Sequence, residues 1–233
     1  AQTPAEPRDT SRLLVCERAT RRLSHRHFHD LVDLLNPNDL LVANDTCVMN
    51  ARIKGRKPTG GQVEVLLLRK LDSVRWEALV GGRNVRDIVF ANGMTARVEE
   101  AAGTALHIVA FGDPIEPHLD ALGEMPLPPY IHERLADPAR YQTVYARVAG
   151  SAAAPTAGLH FTPRLLDALR AKGVQTEFVT LHVGLDTFKP ITEEVVESHH
   201  IHTEWCELPQ RAADAINAAK ARGGRVIAVG TTS

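Results

Sequence analysis

Residues 40–46, Leu40-Leu41-Val42-Ala43-Asn44-Asp45-Thr46, decide the architecture: four consecutive apolar residues give way at once to three hydrogen-bonding ones. A short strand that is apolar on both faces belongs inside a sheet with both sides covered. The residues it delivers at its end stand where function often sits. Asn44-Asp45-Thr46 has two readings of equal weight, a catalytic carboxylate at Asp45 or an Asx turn made by the same side chains.

Upstream, Leu13 to Glu17 reads as a strand, and Arg18 to Arg22 turn the chain toward a helix in which Phe28, Leu31, Val32 and Leu35 keep helical spacing. Asn36-Pro37-Asn38-Asp39 stops that helix. On it, His27 and His29 are surface histidines, although the two-residue spacing of His25, His27 and His29 would line one face of a strand. Downstream, the character changes at Arg52. Gln62 to Lys70, Val74 to Val80, Met94 to Glu99 and Thr104 to Phe111 are strand-like and separated by Gly, Asp and Asn turns. A small antiparallel barrel or sandwich buries one face of such strands without long open edges.

Prolines at 126, 128 and 129 mark the exit, and alternating strands and helices return. Thr162-Pro163 suits a helix start, Leu165, Leu166 and Leu169 its apolar stripe, and Gly173 its end, with a strand over 174–183. A second helix begins at Pro209 with Ala212, Ala215, Ile216 and Ala219 on one side. Gly223-Gly224 closes it before a buried-type strand over 225–229. The chain then stops at Gly230-Thr231-Thr232-Ser233, a loop that would line a crevice, so further sequence is expected beyond it. The units are an α/β domain over 1–51, an inserted β-barrel domain over 52–125, and the α/β remainder over 126–233.

With 233 residues and 44% apolar content the chain can fill a proper core. Its net charge of −1 excludes the global positive field of a nucleic-acid coat, so any RNA contact is a local patch. Three cysteines without paired spacing suit a reducing cytoplasm, and no apolar run is long enough to span a bilayer.

The densest group of candidate functional residues is Pro155-Thr156-Ala157-Gly158-Leu159-His160-Phe161. Small residues there let backbone approach a ligand beside one hydroxyl and one imidazole. The plain alternative is a tight turn with a capping Thr and a core His. Thr180-Leu181-His182-Val183-Gly184 places another His at a strand end. His199, His200, His202 and Glu204 raise a metal-dependent hydrolase as a rival, but neither HExxH nor a Cys partner accompanies them. Lys54, Arg56 and Lys57, with Arg52, form a cationic stretch suited to phosphate, though such charge is often only solvated. A non-catalytic RNA-binding module using that stretch is the second rival. A nucleotide-binding methyltransferase is disfavoured, since no strand runs into a GxGxxG-like loop.

Eight blocks in order resemble the S-adenosylmethionine:tRNA ribosyltransferase-isomerases: residues 1–15, LLVANDT, GRKPTGGQVEVLLL (55–68), MPLPPYI (125–131), YQTVYA (141–146), AAAPTAGLHFT (152–162), TLHVGLDTFKP (180–190) and GGRVIAVGTT (223–232). The resemblance implies an α/β fold, a mixed-sheet domain interrupted by an antiparallel β-barrel, in a chain truncated at both ends. It implies transfer of the ribosyl part of S-adenosylmethionine to 7-aminomethyl-7-deazaguanine in a tRNA with a GUN-type anticodon, giving epoxyqueuosine, adenine and methionine. No cofactor or metal is implied; S-adenosylmethionine is a substrate, and a cytoplasmic monomer is expected. In that reading His160 or His182 removes a proton, and Asp45 and Glu204 are further catalytic candidates. Thr156, Ala157, Gly158, Gly184, Tyr145, Gly230, Thr231 and Thr232 bind substrate, and Lys54, Arg56 and Lys57 contact tRNA. Cys47, Asn50, Asp186 and the 81–87 loop depart from the family pattern.

Overall fold

The segment expected to be helical after Arg18 is instead the return strand of a hairpin. In the computed structural model, which describes residues 4–100, 106–127, 131, 137–184, 195 and 203–233, β1 (Arg12–Glu17) pairs antiparallel with β2 (Arg22–His27). Arg21 takes a left-handed conformation, φ 56°, and the Thr20 hydroxyl donates to the Glu17 carboxylate, which closes the turn. The two-residue histidine spacing therefore reports strand. The apolar stripe survives only as a 3-10 turn over Phe28–Asp30 and one helical turn, α1 (Leu31–Leu34).

β3 (Leu40–Asn44) is buried at every position, as its composition demands. It is an inner strand of a four-stranded mixed sheet with β13 (Gln175–Leu181) and β15 (Val226–Ala228) parallel on its two sides and β14 (Cys206–Glu207) antiparallel outside β13. Period-two alternation sorts its side chains. Leu41 and Ala43 pack with Leu165 and Leu169 of α3 (Pro163–Ala171), and Leu40 and Val42 pack with Ala219 of α4 (Gln210–Ala221). Covered on both faces, this strand cannot be polar on either. The Thr162 hydroxyl accepts the Leu165 N–H at 3.1 Å and caps α3.

Between β3 and β13 the chain runs through β4 (Thr46–Val48) and then the antiparallel strands β5 (Arg52–Arg56), β6 (Gln62–Lys70), β7 (Arg75–Gly81), β8 (Asp87–Phe90), β9 (Thr95–Glu100) and β10 (His107–Phe111). The order β5-β6-β7-β10-β9-β8 closes through β5–β8 pairing into a six-stranded barrel. α2 (Leu119–Leu122) and the short β11 (Gly123–Glu124) follow, β11 pairing with Arg52 and Ile53 of β5 beside the stretch that β8 pairs. Closure removes the open edges, and the interior fills with Ile53, Val65, Leu67, Trp76, Ile88 and Val109. The atypical loop over 81–87 is the short turn between β7 and β8. β12 (Val148–Ser151) lies parallel to β4.

Asp39, just before β3, ties three segments together. Its carboxylate accepts the Asn36 N–H, the Arg225 N–H and the Arg225 guanidinium, and these bonds hold it at a pKa of about 2 despite burial. A carboxyl whose folded pKa is depressed stabilises the fold above its unfolded value and loses that contribution as pH falls. The expected outcome is a fall in unfolding free energy of about 1–2 kcal/mol between roughly pH 5 and pH 2. Denaturant titrations of Asp39→Asn should show a flatter pH profile in that window.

Candidate active site

The carboxyl ends of β3, β13 and β15 all point the same way and deliver Asn44-Asp45-Thr46, His182-Val183-Gly184 and Gly230-Thr231-Thr232 to one edge of the sheet. Asn44 joins the first two. Its Nδ2 donates to the Leu181 carbonyl at 2.9 Å, and its Oδ1 accepts the N–H groups of Leu181 at 3.1 Å and Thr46 at 3.0 Å. The last of these is the Asx turn anticipated from sequence. It brings Thr46 Oγ1 to within 2.8 Å of His182 Nδ1.

Thr46 Oγ1 also lies 3.5 Å from the Val148 carbonyl, which can take its hydroxyl proton. With the Thr46 proton on Val148, His182 Nδ1 donates to Thr46 and Nε2 keeps its lone pair; with Thr46 donating to Nδ1, the proton sits on Nε2. Burial depresses the His182 pKa below the ordinary imidazole value, with the Asp45 charge opposing in part. Trp205, half exposed, stacks on the ring at 4.9 Å. Gly150, at φ +149°, lies against the other side: a Cβ there would sit 2.4 Å from His182 Nε2. Only glycine leaves the ring where it is.

His182, Gly184 and Glu204 line a cavity of about 920 Å³ between the sheet edge and the barrel. Met49, Leu68, Trp76 and Ile108 supply its apolar wall. The Trp76 indole N–H is buried and has no acceptor among the described residues. Arg69 and Lys70 line it as well, each paired with a carboxylate that also lines it, Glu77 and Glu116. Glu204 Oε1 accepts the Gly184 N–H at 2.7 Å, which fixes the loop after His182.

A second cavity, about 370 Å³, is lined by Thr156, Ala157, Val183, Gly230, Thr231 and Thr232, with Pro155 and the buried Ala153 and Ala154. The two cavities share a wall. Gly150 and His182 line the larger one and Ala153 and Val183 the smaller, so nearby residues of the same two segments line different cavities. Ser151 pins those segments together, its Oγ accepting the Val183 N–H at 3.0 Å and donating to the Ala153 carbonyl at 2.7 Å.

Other expected site residues have different surroundings. His160 lines neither cavity: its Nδ1 meets Ser11 Oγ at 3.0 Å, its ring packs on Phe28, and burial lowers its pKa. Asp45 is 1% exposed and its carboxylate is occupied, with Thr180 Oγ1 at 2.7 Å and the Arg147 guanidinium at 2.6 Å. Tyr145 packs its ring on Phe161 and Phe178 and its hydroxyl against Gly158, where a Cβ would approach to 2.2 Å. Burial pushes that phenol strongly upward.

Lys54 pairs with Glu124 and Lys57 donates to the Arg83 carbonyl, leaving Arg56 as the one member of that trio without a polar partner among the described residues. Cys47 sits half-buried on β4 and Asn50 bonds Asp120, so neither departure from the family pattern lines a cavity. Asp186, His199, His200 and His202 lie outside the described residues. Among the described ones, His27, His29 and Asp30 gather their ligand-capable atoms within 4.8 Å, away from both cavities. Sequence reasoning missed Gly150, Trp76 and Trp205. Trp205, beside Glu204 in a polar stretch, was the one with a visible signal.

No helix among the described residues is long and apolar enough to cross a membrane. A curated relative from Moorella thermoacetica, named S-adenosylmethionine:tRNA ribosyltransferase-isomerase, is 52% identical over 241 residues that span all of this chain and 70% of the relative. A relative of the same name from Symbiobacterium thermophilum is 51% identical over 247 residues, covering 71% of its length. The crystal structure of a Thermotoga maritima S-adenosylmethionine tRNA ribosyltransferase is 29% identical with a TM-score of 0.42, over 98% of this chain and 64% of that one. The sequence model of the family described as queuosine biosynthesis protein matches residues 1–233, and the chain belongs to that family.

Proposed function

We propose that this chain transfers the ribosyl part of S-adenosylmethionine to the aminomethyl group of a 7-deazaguanine in a tRNA with a GUN-type anticodon. The product is the epoxycyclopentanediol of epoxyqueuosine, and adenine and methionine leave. Family membership supports the reaction class, and the names of the two curated relatives support the donor and the acceptor. The observation that carries the reading is His182, an imidazole kept neutral by burial in the wall between two cavities.

The chemistry asks for such a group. The donor is a sulfonium cation and both leaving molecules are neutral, so replacing one amine hydrogen by the ribosyl carbon releases a net proton. The sulfonium acidifies the adjacent C5′ hydrogens, and a base beside them starts the rearrangement. His182 has the free Nε2 lone pair in the tautomer that donates from Nδ1 to the Thr46 hydroxyl. Asp45 serves differently, its buried charge raising the basicity of that imidazole while Arg147 and Thr180 occupy its oxygens.

Two cavities suit two substrates. The smaller, built from the small residues of Ala153 to Ala157 and the Gly230-Thr231-Thr232 loop, fits the nucleoside of the donor through hydroxyls and backbone. The larger offers Trp205 for stacking and the Glu204 carboxylate for the donor edge of a guanine-like base. The target base comes from an anticodon loop, where unstacking costs little.

Incubating the full chain with S-adenosylmethionine and tRNA bearing the aminomethyl base should release adenine and methionine in equal amounts; folded protein releasing neither overturns the reading. His182→Gln should lower kcat by about 10²–10⁴. It should also abolish an acidic limb of kcat/KM lying below pH 6.5, the direction set by the depressed imidazole pKa. His160→Gln should keep kcat within a few-fold and instead lower thermal stability by about 1–2 kcal/mol, the cost of a lost buried hydrogen bond. Gly150→Ala should reproduce much of the His182→Gln loss in kcat with little change in donor affinity, readable by calorimetry.

A further inference from the structure

The β1–β2 hairpin carries five arginines, Arg12, Arg18, Arg21, Arg22 and Arg26, against one carboxylate, Glu17. With histidine neutral that is +4 in a chain whose total is −1. All five are exposed. None forms an ion pair among the described residues, whereas many cations elsewhere do, as in Arg69–Glu77, Arg75–Asp72 and Arg170–Asp167. Glu17 forms no ion pair with them among the described residues; its carboxylate accepts from Thr20 in the turn.

Geometry argues against a merely solvated surface. Among the described residues the two strands pair with each other and with no other strand, and the hairpin has six residues on each side, about 20 Å from foot to tip, with its arginines on the exposed positions. Arg18 and Arg21 sit in the tip turn and Arg22 opens the return strand. The foot is fastened to the loop at residues 155–161. Ser11 takes the Phe28 N–H on its carbonyl and meets His160 with its hydroxyl, and Phe28 sits edge-on to Phe161 at 4.9 Å. A polyanion lying along this arm is therefore held at a fixed place relative to the smaller cavity.

We infer that the β1–β2 hairpin is the arm that grips the tRNA sugar-phosphate backbone, with Arg18, Arg21 and Arg22 at its tip as the main phosphate contacts. This rests on the proposed function, and it moves the electrostatic footprint away from Lys54 and Lys57, whose ammonium groups are already engaged. The contact is with phosphates rather than base edges, so it adds affinity without sequence preference. His160 becomes the fastening between arm and pocket.

The test is the triple variant Arg18→Glu, Arg21→Glu, Arg22→Glu together with the single variant Arg21→Glu in the full chain, with Arg170→Glu on α3 as the charge-matched control for the single variant. Affinity for tRNA is measured across a salt series, together with S-adenosylmethionine affinity and adenine release. The triple variant should bind tRNA at least about tenfold more weakly near physiological salt. Its slope of log affinity against log salt should become shallower by about 2 to 3, at roughly 0.7–0.9 per contact. Donor affinity and kcat at saturating tRNA should stay within about twofold, because the contact is remote from the chemistry. Unchanged affinity and slope in a wild-type-active background overturn the arm alone, and an effect of Arg170→Glu equal to that of Arg21→Glu does the same. Altered sedimentation with unchanged tRNA affinity would make the arm a contact between copies and also overturn it. A wild-type chain that neither binds tRNA nor releases adenine overturns both this inference and the function on which it rests.

Discussion

The carboxamide of Asn44 is the interaction on which the site depends. Backbone pairing between β3 and β13 ends at Asn44 and Val179, and beyond it the two chains would diverge with unpaired amides inside the protein. Asn44 extends the ladder by one rung with side-chain atoms, satisfying both the N–H and the carbonyl of Leu181 while accepting the Thr46 N–H. Each such group left bare in the interior costs about 1–3 kcal/mol. Neither Asp nor Leu can replace it, because only a carboxamide both donates and accepts within that shape. Thr46 and His182 meet because this rung fixes the ends of both strands.

A second constraint acts at right angles. Ser151 holds the end of β12 against Val183, beside residues that line the two cavities. These residues are small because the space is shared: Gly150 yields to the imidazole on one side, and Ala153 and Ala154 to a ligand on the other. Close packing leaves no room to add a methyl group at Gly150 without displacing the ring. Rigidity here follows from hydrogen bonds at Ser151 and Asn44 rather than from large side chains.

The buried strand over 40–44, the capped helix at Thr162 and the antiparallel strands of the barrel were legible in sequence because each rests on local pattern: an apolar run, an N-cap, alternation between turns. The hairpin was misread because two periods competed over 22–35. Phe28, Leu31, Val32 and Leu35 do keep helical spacing, but left-handed Arg21 and pairing with β1 decided the first half in favour of strand. At the site, the sequence marked Thr156, Ala157 and the 230–232 loop as ligand-lining, and the smaller cavity gathers them. It could not separate His160 from His182, since both are imidazoles among apolar neighbours. Only packing shows that one faces Ser11 and the other a cavity. Trp76 was invisible for the same reason, a barrel-core residue that also lines a cleft formed with another part of the chain.

Why an imidazole, when a carboxylate lies one residue from its support, follows from electrostatics. Asp45 is almost fully buried, and a bare carboxylate there would be desolvated at a cost of several kcal/mol. Arg147 and Thr180 offset that cost, but the same bonds consume the lone pairs a base would use. In the proposed mechanism the task is divided: Asp45 keeps its oxygens bonded to Arg147 and Thr180, and proton transfer falls to His182, whose pKa burial lowers. In the proposed reaction a cationic donor would gain from this arrangement: its sulfonium would meet a polar, uncharged nitrogen, while the field of Asp45 behind it would favour the imidazolium formed as the proton moves.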